Sequence, residues 1–496
     1  MNIAFVCWGE KSLGIEYISA CLKKVGHNVH LILYPSLMES FSKGKWGSGD
    51  KGITRIIENS SFDLLCFSVV SDTYGWALRI AKAIKRKKNL PIVFGGVHPS
   101  AVPELVIKEE AIDYVCVGEG EEAVVELVNL LEKKENTWNI KNIWSKGKGK
   151  IIKNPLRPLL KNLDSLPFPD KDLFYKEYQG FAQQPYWTIT GRGCPCSCTF
   201  CFNEHWKQLY REKNNYLRRR SVNYVIEELI QAKEKYDIKN VLFLDSIFTY
   251  DPLWLKNFCQ IYQKHIQLPF MCDVYAPYVS EEIVQSLEDA GCAAASLGIQ
   301  TIGETLRKNI LSRYDTNQEI IQAITLFKKS KIFLYAHIMF DLPEQNDQEL
   351  VNTARFLNQN RPDMIFPFRL RYYPQTAIIQ IAKEKNILNK EELKTIQDSK
   401  EYTPLQIKSN KPIDKIINFI LISNILPQTL FNFIMGKKLY LYSSATSSIL
   451  FHPYRICLTL YKNLLRRKRQ FPYLNIWKQL KFTGHYFLKL YKASRH

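Results

Sequence analysis

Short apolar runs alternate with amphipathic helical stretches along most of this chain, in two separate series, and that alternation leaves few folds open. The first series places strand-like residues at Ile3 to Cys7, Asn28 to Leu33, Asp63 to Val69, Pro91 to Phe94 and Tyr114 to Val117. Helical patterns fall between them, at about Ser12 to Lys24, Trp76 to Lys85, Pro99 to Ile107 and Glu119 to Leu131. Strands that are apolar throughout, separated by helices, specify a parallel sheet covered on both faces, hence a doubly wound, Rossmann-like α/β domain over about residues 1–140. Ligands of such a domain lie at the carboxyl ends of its strands. There the sequence puts Gly9, Gly14, Ser68, Gly95-Gly96-Val97-His98 and Gly118-Glu119-Gly120. Glycine lets backbone approach a flat cofactor, although each pair is equally a tight turn.

From Lys146 to Leu173 the pattern turns polar and proline-punctuated, which predicts an inter-domain linker within residues 141–182. The second series then runs Trp187 to Thr190, Asn240 to Leu244, Met271 to Tyr275, Ala294 to Leu297, Phe333 to Ile338 and Ile365 to Leu370. Ser221 and Ser280 stand where helix N-caps belong, and Thr316 with Glu319 spells a capping box. Six βα units predict an open, partial (β/α) barrel over residues 183–400.

The remainder, 401–496, reads as helical, aromatic and basic. The chain of 496 residues carries a formal net charge of +20. No acidic residue follows Asp414, while Lys437, Lys438 and the run Arg466 to Arg469 do. The apolar stretch Ile416 to Met435 is interrupted by Asn418, Asn424, Pro427, Gln428 and Asn432, so it makes a poor membrane-spanning helix. A core helix and peripheral membrane contact both remain open for it. With 46% apolar residues the chain can bury real cores, which excludes disorder. Its start reads as a first strand rather than a signal peptide, and the expected location is the cytoplasm.

Of twelve cysteines, eight are scattered through apolar surroundings and four crowd into Cys194-Pro195-Cys196-Ser197-Cys198-Thr199-Phe200-Cys201, directly after the first strand of the second series. Closely spaced thiols in an intracellular protein point to metal rather than disulfides, and soft thiolates select iron-sulfur clusters or zinc. A structural zinc site needs a second ligand pair, and none with suitable spacing is present.

The C-x3-C-x2-C spacing, with an aromatic before the last cysteine, resembles the signature of the radical S-adenosylmethionine superfamily. The resemblance implies that Cys194, Cys198 and Cys201 hold a 4Fe-4S cluster whose fourth iron binds S-adenosylmethionine. It also implies that Phe200 packs beside the adenine and that Cys196 is a spacer. Asp245, near the end of the second strand, and Gly298-Ile299-Gln300-Thr301 on the fourth are similar to cofactor-contacting motifs of that family, with Gln300 in place of a usual Glu. Asp341-Leu342-Pro343-Glu344 stands where Gly-Leu-Pro-Gly is common, which implies an altered loop. Arg369 and Arg371 alternate with Leu370, so one guanidinium could face the barrel interior, or both could be structural.

The first domain resembles the cobalamin-binding domain that precedes this barrel in one large branch of the superfamily. Gly14, Ser68, Gly95, Gly96, Gly118, Glu119 and Gly120 are the positions implied to touch cobalamin. Lys11 occupies the place of the histidine that ligates cobalt in methionine-synthase-like proteins, so the resemblance implies no lower histidine from this loop. His98, in a turn before Pro99, is expected to be structural.

The resemblance thus implies an enzyme using a 4Fe-4S cluster, S-adenosylmethionine and cobalamin to methylate an unactivated carbon or phosphorus centre. A deoxyadenosyl radical would abstract hydrogen and cobalamin would deliver methyl. The alternative keeps the cofactors but makes the outcome cyclisation or rearrangement. A basic RNA-binding scaffold lacks the signatures of common RNA modules, so no nucleic-acid partner is expected. Expected partners are a small-molecule or lipid-like substrate and an external one-electron reductant; no catalytic side chain is assigned.

Overall fold

The computed structural model describes residues 1–34, 49–147, 149–177, 179–211, 216–399 and 411–442. The chain divides into two units, Met1–Gln183 with Thr199–Arg219 and Arg371–Leu405, and Gln184–Cys198 with Arg220–Leu370 and Gln406–His496.

In the first unit, β1 (Asn2–Trp8), β2 (Asn28–Tyr34), β3 (Leu64–Ser68), β4 (Ile92–Gly95) and β5 (Tyr114–Cys116) form a parallel sheet in the order β2-β1-β3-β4-β5. Ile3 to Cys7 are all buried, as expected for a strand packed on both faces. The helix Leu13–Lys24 starts at Ser12, whose hydroxyl accepts from the Ile15 amide. Two differences from the sequence reading have simple causes. The stretch read as linker opens with β6 (Ile143–Gly147) and β7 (Lys150–Ile152), which extend the sheet antiparallel. The single helix expected at Pro99 to Ile107 is two, Val97–Ala101 and Pro103–Ile107. Pro103 disfavours helical backbone at Val102, which sits at φ −132°.

The linker's end is riveted to the first helix. Ser19 Oγ donates to Asp170 Oδ2 at 2.6 Å and Lys23 Nζ pairs with the same oxygen at 2.6 Å. Lys171 pairs with Glu16, and both side chains are buried.

The second unit holds β8 (Tyr186–Thr188), β9 (Val241–Phe243), β10 (Phe270–Val274), β11 (Cys292–Gln300), β12 (Phe333–Phe340) and β13 (Met364–Arg369). They lie side by side in chain order, all parallel, as an open barrel requires. Ser221 and Ser280 cap their helices, and Thr316 with Glu319 forms the capping box. The helix-side core joins Phe243, Phe258, Leu297 and Ile338 to Ile416 and Ile420.

The apolar stretch near the C-terminus is therefore partly core. The helix Lys411–Ser423 packs on the helix Asp347–Asn360. Asn358 Nδ2 donates to the carbonyls of Ser423 and Leu426, and Asn424 Nδ2 to that of Pro362. Of the asparagines that interrupt the apolar stretch, Asn424 is thus a buried clamp through its Nδ2, whereas Asn432 is exposed. Pro427 ends this segment, and a second helix, Gln428–Gly436, follows. No helix among the described residues is long and apolar enough to cross a membrane.

Candidate cofactor sites

Cys194 and Cys198 are both buried in the second unit, Cys194 packed beside Ile247 and Tyr275 with Cys196, Tyr250 and Tyr278 at the margin. The Cys196 thiol hydrogen-bonds both, which raises its own pKa. The Cys198 thiol is drawn below its ordinary value by that hydrogen bond, with the nearby Arg313 guanidinium acting in the same direction. Cys201 is the N-cap of the helix Phe202–Leu209, which packs through Phe202 and Leu209 on the first unit's core. Phe200 lies between Cys198 and Cys201, half-buried. Among the described residues no three His, Cys, Asp or Glu side chains converge as a metal group. The donor set nonetheless suits a cluster: soft thiols in dry surroundings, one already held toward thiolate.

Asp245 is buried and accepts from Thr190, from its amide at 2.9 Å and its hydroxyl at 2.7 Å. Its carboxylate thereby fixes the turn that leads from β8 into the cysteine loop. Gln300, at φ 67°, ends β11, and its Oε1 is buried with no hydrogen-bond partner among the described residues. An acceptor of this kind suits a hydroxyl- or ammonium-bearing ligand. Gly298 offers its carbonyl to Arg313 Nη2 at 2.6 Å.

Arg313 belongs to a group that the sequence reading passed over. Its guanidinium lies 4.6 Å from the Tyr275 ring centroid and its Nε is 3.2 Å from Asp315 Oδ1. Tyr275 Oη donates to the same Asp315 oxygen at 2.9 Å. Arg307, fully buried, donates to the carbonyls of Thr301 and Asp315. The available signal was two arginines and an aspartate just after the Gly-Ile-Gln-Thr run; charges in a helix and the loop that follows it read by default as solvated.

After β12, Asp341 and Glu344 sit at φ 62° and 65°, in the left-handed region that glycine enters more freely. Asp341 is held there by Arg369 Nη1 at 2.8 Å, which removes Arg369 from the interior as a free carboxylate grip. Arg371, beyond the strand and in the first unit, donates to Asp72.

In the first unit, Gly14 lies in the first turn of its helix and Ser68 ends β3. Gly95 ends β4, and a Cβ there would make only ordinary contact with Cys116. Gly96, at φ 100°, is required by the chain itself: a Cβ there would lie 2.8 Å from the Val69 carbonyl. Gly118, at φ 87°, faces Tyr210, whose hydroxyl would be 2.0 Å from an added Cβ and accepts from the Glu119 amide. Arg218 grips Glu119 through two hydrogen bonds of 2.6 and 3.0 Å. Gly120 precedes the helix Glu121–Glu132 as its N-cap. These loops are thus tied into the unit's own packing.

Lys11 is buried, its amine 5.9 Å from the Tyr175 ring centroid. Burial, then Lys171, pulls its pKa down to about 7. His98 is buried, with Nδ1 3.0 Å from Ser71 Oγ and its ring 4.3 Å from that of Tyr74. Burial holds it neutral, with a pKa near 3. His98 Nε2, Tyr74 Oη and Trp76 Nε1 are buried without partners among the described residues. Orphaned polar atoms near the strand carboxyl ends suit a large amide-bearing cofactor such as cobalamin.

One α/β unit has glycine-bearing loops at its parallel-strand ends and the other a thiol loop at the end of the first strand of a partial barrel, the arrangement that the two resemblances imply for a two-cofactor radical enzyme. A B12-binding-domain model matches residues 10–128 and a radical SAM superfamily model matches residues 188–357. The chain belongs to the cobalamin-binding-domain-containing radical S-adenosylmethionine enzymes, whose cofactors are a 4Fe-4S cluster, S-adenosylmethionine and cobalamin. It is 26% identical over 385 residues to an uncharacterized methyltransferase of Pyrococcus horikoshii, covering 76% of this chain and 79% of the relative. It is 24% identical to the anaerobic magnesium-protoporphyrin IX monomethyl ester cyclase of Synechocystis, covering 62% of each chain. The radical S-adenosylmethionine methyltransferase TsrM from Kitasatospora setae, solved with cobalamin and a [4Fe-4S] cluster bound, shares the fold at a TM-score of 0.62 and 16% identity. The match covers 77% of this chain and 75% of that one.

Proposed function

We propose that this enzyme transfers a methyl group from S-adenosylmethionine to an unactivated carbon or phosphorus centre of a small molecule, with electrons from an external reductant. The observation that carries the reading is the presence of both cofactor domains in one chain, across most of which a methyltransferase aligns. When bound, the cluster supplies reductive cleavage of S-adenosylmethionine and cobalamin supplies methyl carriage.

In this reading Cys194, Cys198 and Cys201 hold the cluster and Arg313 offsets its negative charge. Asp245 fixes the loop entry, while Phe200, Gly298 and Gln300 line the S-adenosylmethionine site. Gly14, Ser68, Gly95, Gly96, Gly118, Glu119 and Gly120 shape the cobalamin site, with His98, Tyr74 and Trp76 offering polar atoms to it. The apolar interior around Tyr275 excludes water from reactive species. The C-terminal region makes peripheral membrane contact from the cytoplasmic side.

The cyclase relative favours one other outcome, radical cyclisation without methyl transfer. Anaerobically reconstituted protein, given methyl-labelled S-adenosylmethionine, reductant and candidate small molecules, separates the two. Methyl transfer releases S-adenosylhomocysteine and deoxyadenosine in similar amounts and labels the product. Deoxyadenosine alone, with unlabelled product, refutes methyl transfer.

A further inference from the structure

The helix Gln428–Gly436 (QTLFNFIMG) contains no charged residue, yet among the described residues one of its sides is packed and another is exposed. Phe431 is buried and stacks on Phe419 at 5.4 Å, and Met435, one turn on, packs against the same core. Leu430 and Phe433, three residues apart on another face, are 45% and 57% exposed. Lys437 and Lys438 follow directly, both exposed, and Leu439 is 41% exposed. A helix without charge is ordinarily buried all round, and contiguous exposed apolar side chains mark an interaction surface.

We propose that Leu430, Phe433 and Leu439, rimmed by Lys437 and Lys438, are the face by which this protein rests on an anionic lipid surface. The charge pattern selects that occupant. From Lys415 to His496 the sequence has no acidic residue, so the whole region attracts anionic headgroups while the apolar side chains enter the acyl boundary. A second copy would bring the same lysines against these, and the chain's own basic C-terminal residues would do likewise. RNA would gain nothing from Leu430 and Leu439, which offer no stacking plane. The inference rests on the membrane-contact reading for this region and not on methyl transfer, since vesicle binding needs neither cofactor.

The test is flotation of the full chain with phosphatidylcholine vesicles, with and without phosphatidylglycerol. The wild type should float with the anionic vesicles at low salt, and progressively less as salt rises. Leu430→Ser with Phe433→Ser should weaken partitioning about tenfold, with an unchanged melting temperature because both side chains are exposed. Lys437→Gln with Lys438→Gln should weaken it too and flatten the salt dependence. Absence of wild-type binding at low salt overturns both the membrane contact and this face. Binding that survives the serine pair, or that is equal on neutral vesicles, overturns the face alone. So does a dimer, or an RNA complex in a mobility-shift assay, that the serine pair disrupts.

Discussion

Replacing Gly118 by Ala tests whether that glycine serves the cofactor or the protein's own packing. The added Cβ would stand 2.0 Å from Tyr210 Oη and 3.0 Å from Tyr210 Cζ, at a backbone φ of 87°. The left-handed backbone costs about 1–3 kcal/mol for a residue with a side chain. Displacing the tyrosine costs about 1–3 kcal/mol more, as overpacking does. The Tyr210→Phe change alone should cost about 1 kcal/mol, because the Glu119 amide loses its acceptor. In that background the 2.0 Å contact is gone, so Gly118→Ala should cost only the backbone part plus a milder ring contact. A favourable coupling of about 1–2 kcal/mol is therefore expected from the double-mutant cycle. Urea unfolding of the cobalamin-free protein measures all four corners, and absorbance titration gives cobalamin affinity beside it. An apo stability unchanged by Gly118→Ala, together with lost cobalamin binding, would refute the packing argument and return Gly118 to the cofactor.

Replacing Cys194, Cys198 or Cys201 by Ala should remove most iron and sulfide and abolish S-adenosylmethionine cleavage, whereas Cys196→Ala should retain both by elemental assay. Asp245→Ala should lower iron occupancy by freeing the Thr190 turn, while the iron-loaded fraction keeps its S-adenosylmethionine affinity in equilibrium dialysis. His98 has a folded pKa of about 3 against an ordinary 6.5. Its contribution to stability is complete above about pH 6.5 and is lost as pH falls toward 3, by up to about 1.4 kcal/mol per pH unit. His98→Gln should remove that part of the acid sensitivity in denaturation curves taken across the window, and the paramagnetic spectrum of bound cobalamin should show no His98 nitrogen.

Regular elements were legible because each rests on a strong local signal. The runs Ile3 to Cys7, Leu64 to Phe67 and Cys292 to Ala295 are apolar at every position, and Ser221, Ser280 and Thr316 cap helices through their own side chains. The strands after Asn142 were not, since Ser145 and Lys146 pair within the sheet while looking like loop composition. The thiol loop was evident from spacing, but its surroundings were not. Tyr275 and Asp315 stand 40 positions apart and meet, with Arg313, only once the strands before them lie side by side, and no local pattern announces that. The same holds for Tyr210, whose tie to Gly118 spans nearly a hundred positions.

The placement of the helix Lys411–Ser423 bears on how this protein is made. Its residues Ile416 and Ile420 join a core most of whose other members come from strands and helices synthesised well before it. During synthesis the six strands can pair as they emerge, yet one flank of the barrel stays open until residues near Leu426 have left the ribosome. The helix bearing Phe356 and Leu357 must wait with that flank exposed, a hazard for a chain with parallel strands and slow long-range closure. Slowing translation shortly before codon 411 should therefore lower soluble yield, and chaperone dependence should centre on that interval rather than on the first domain.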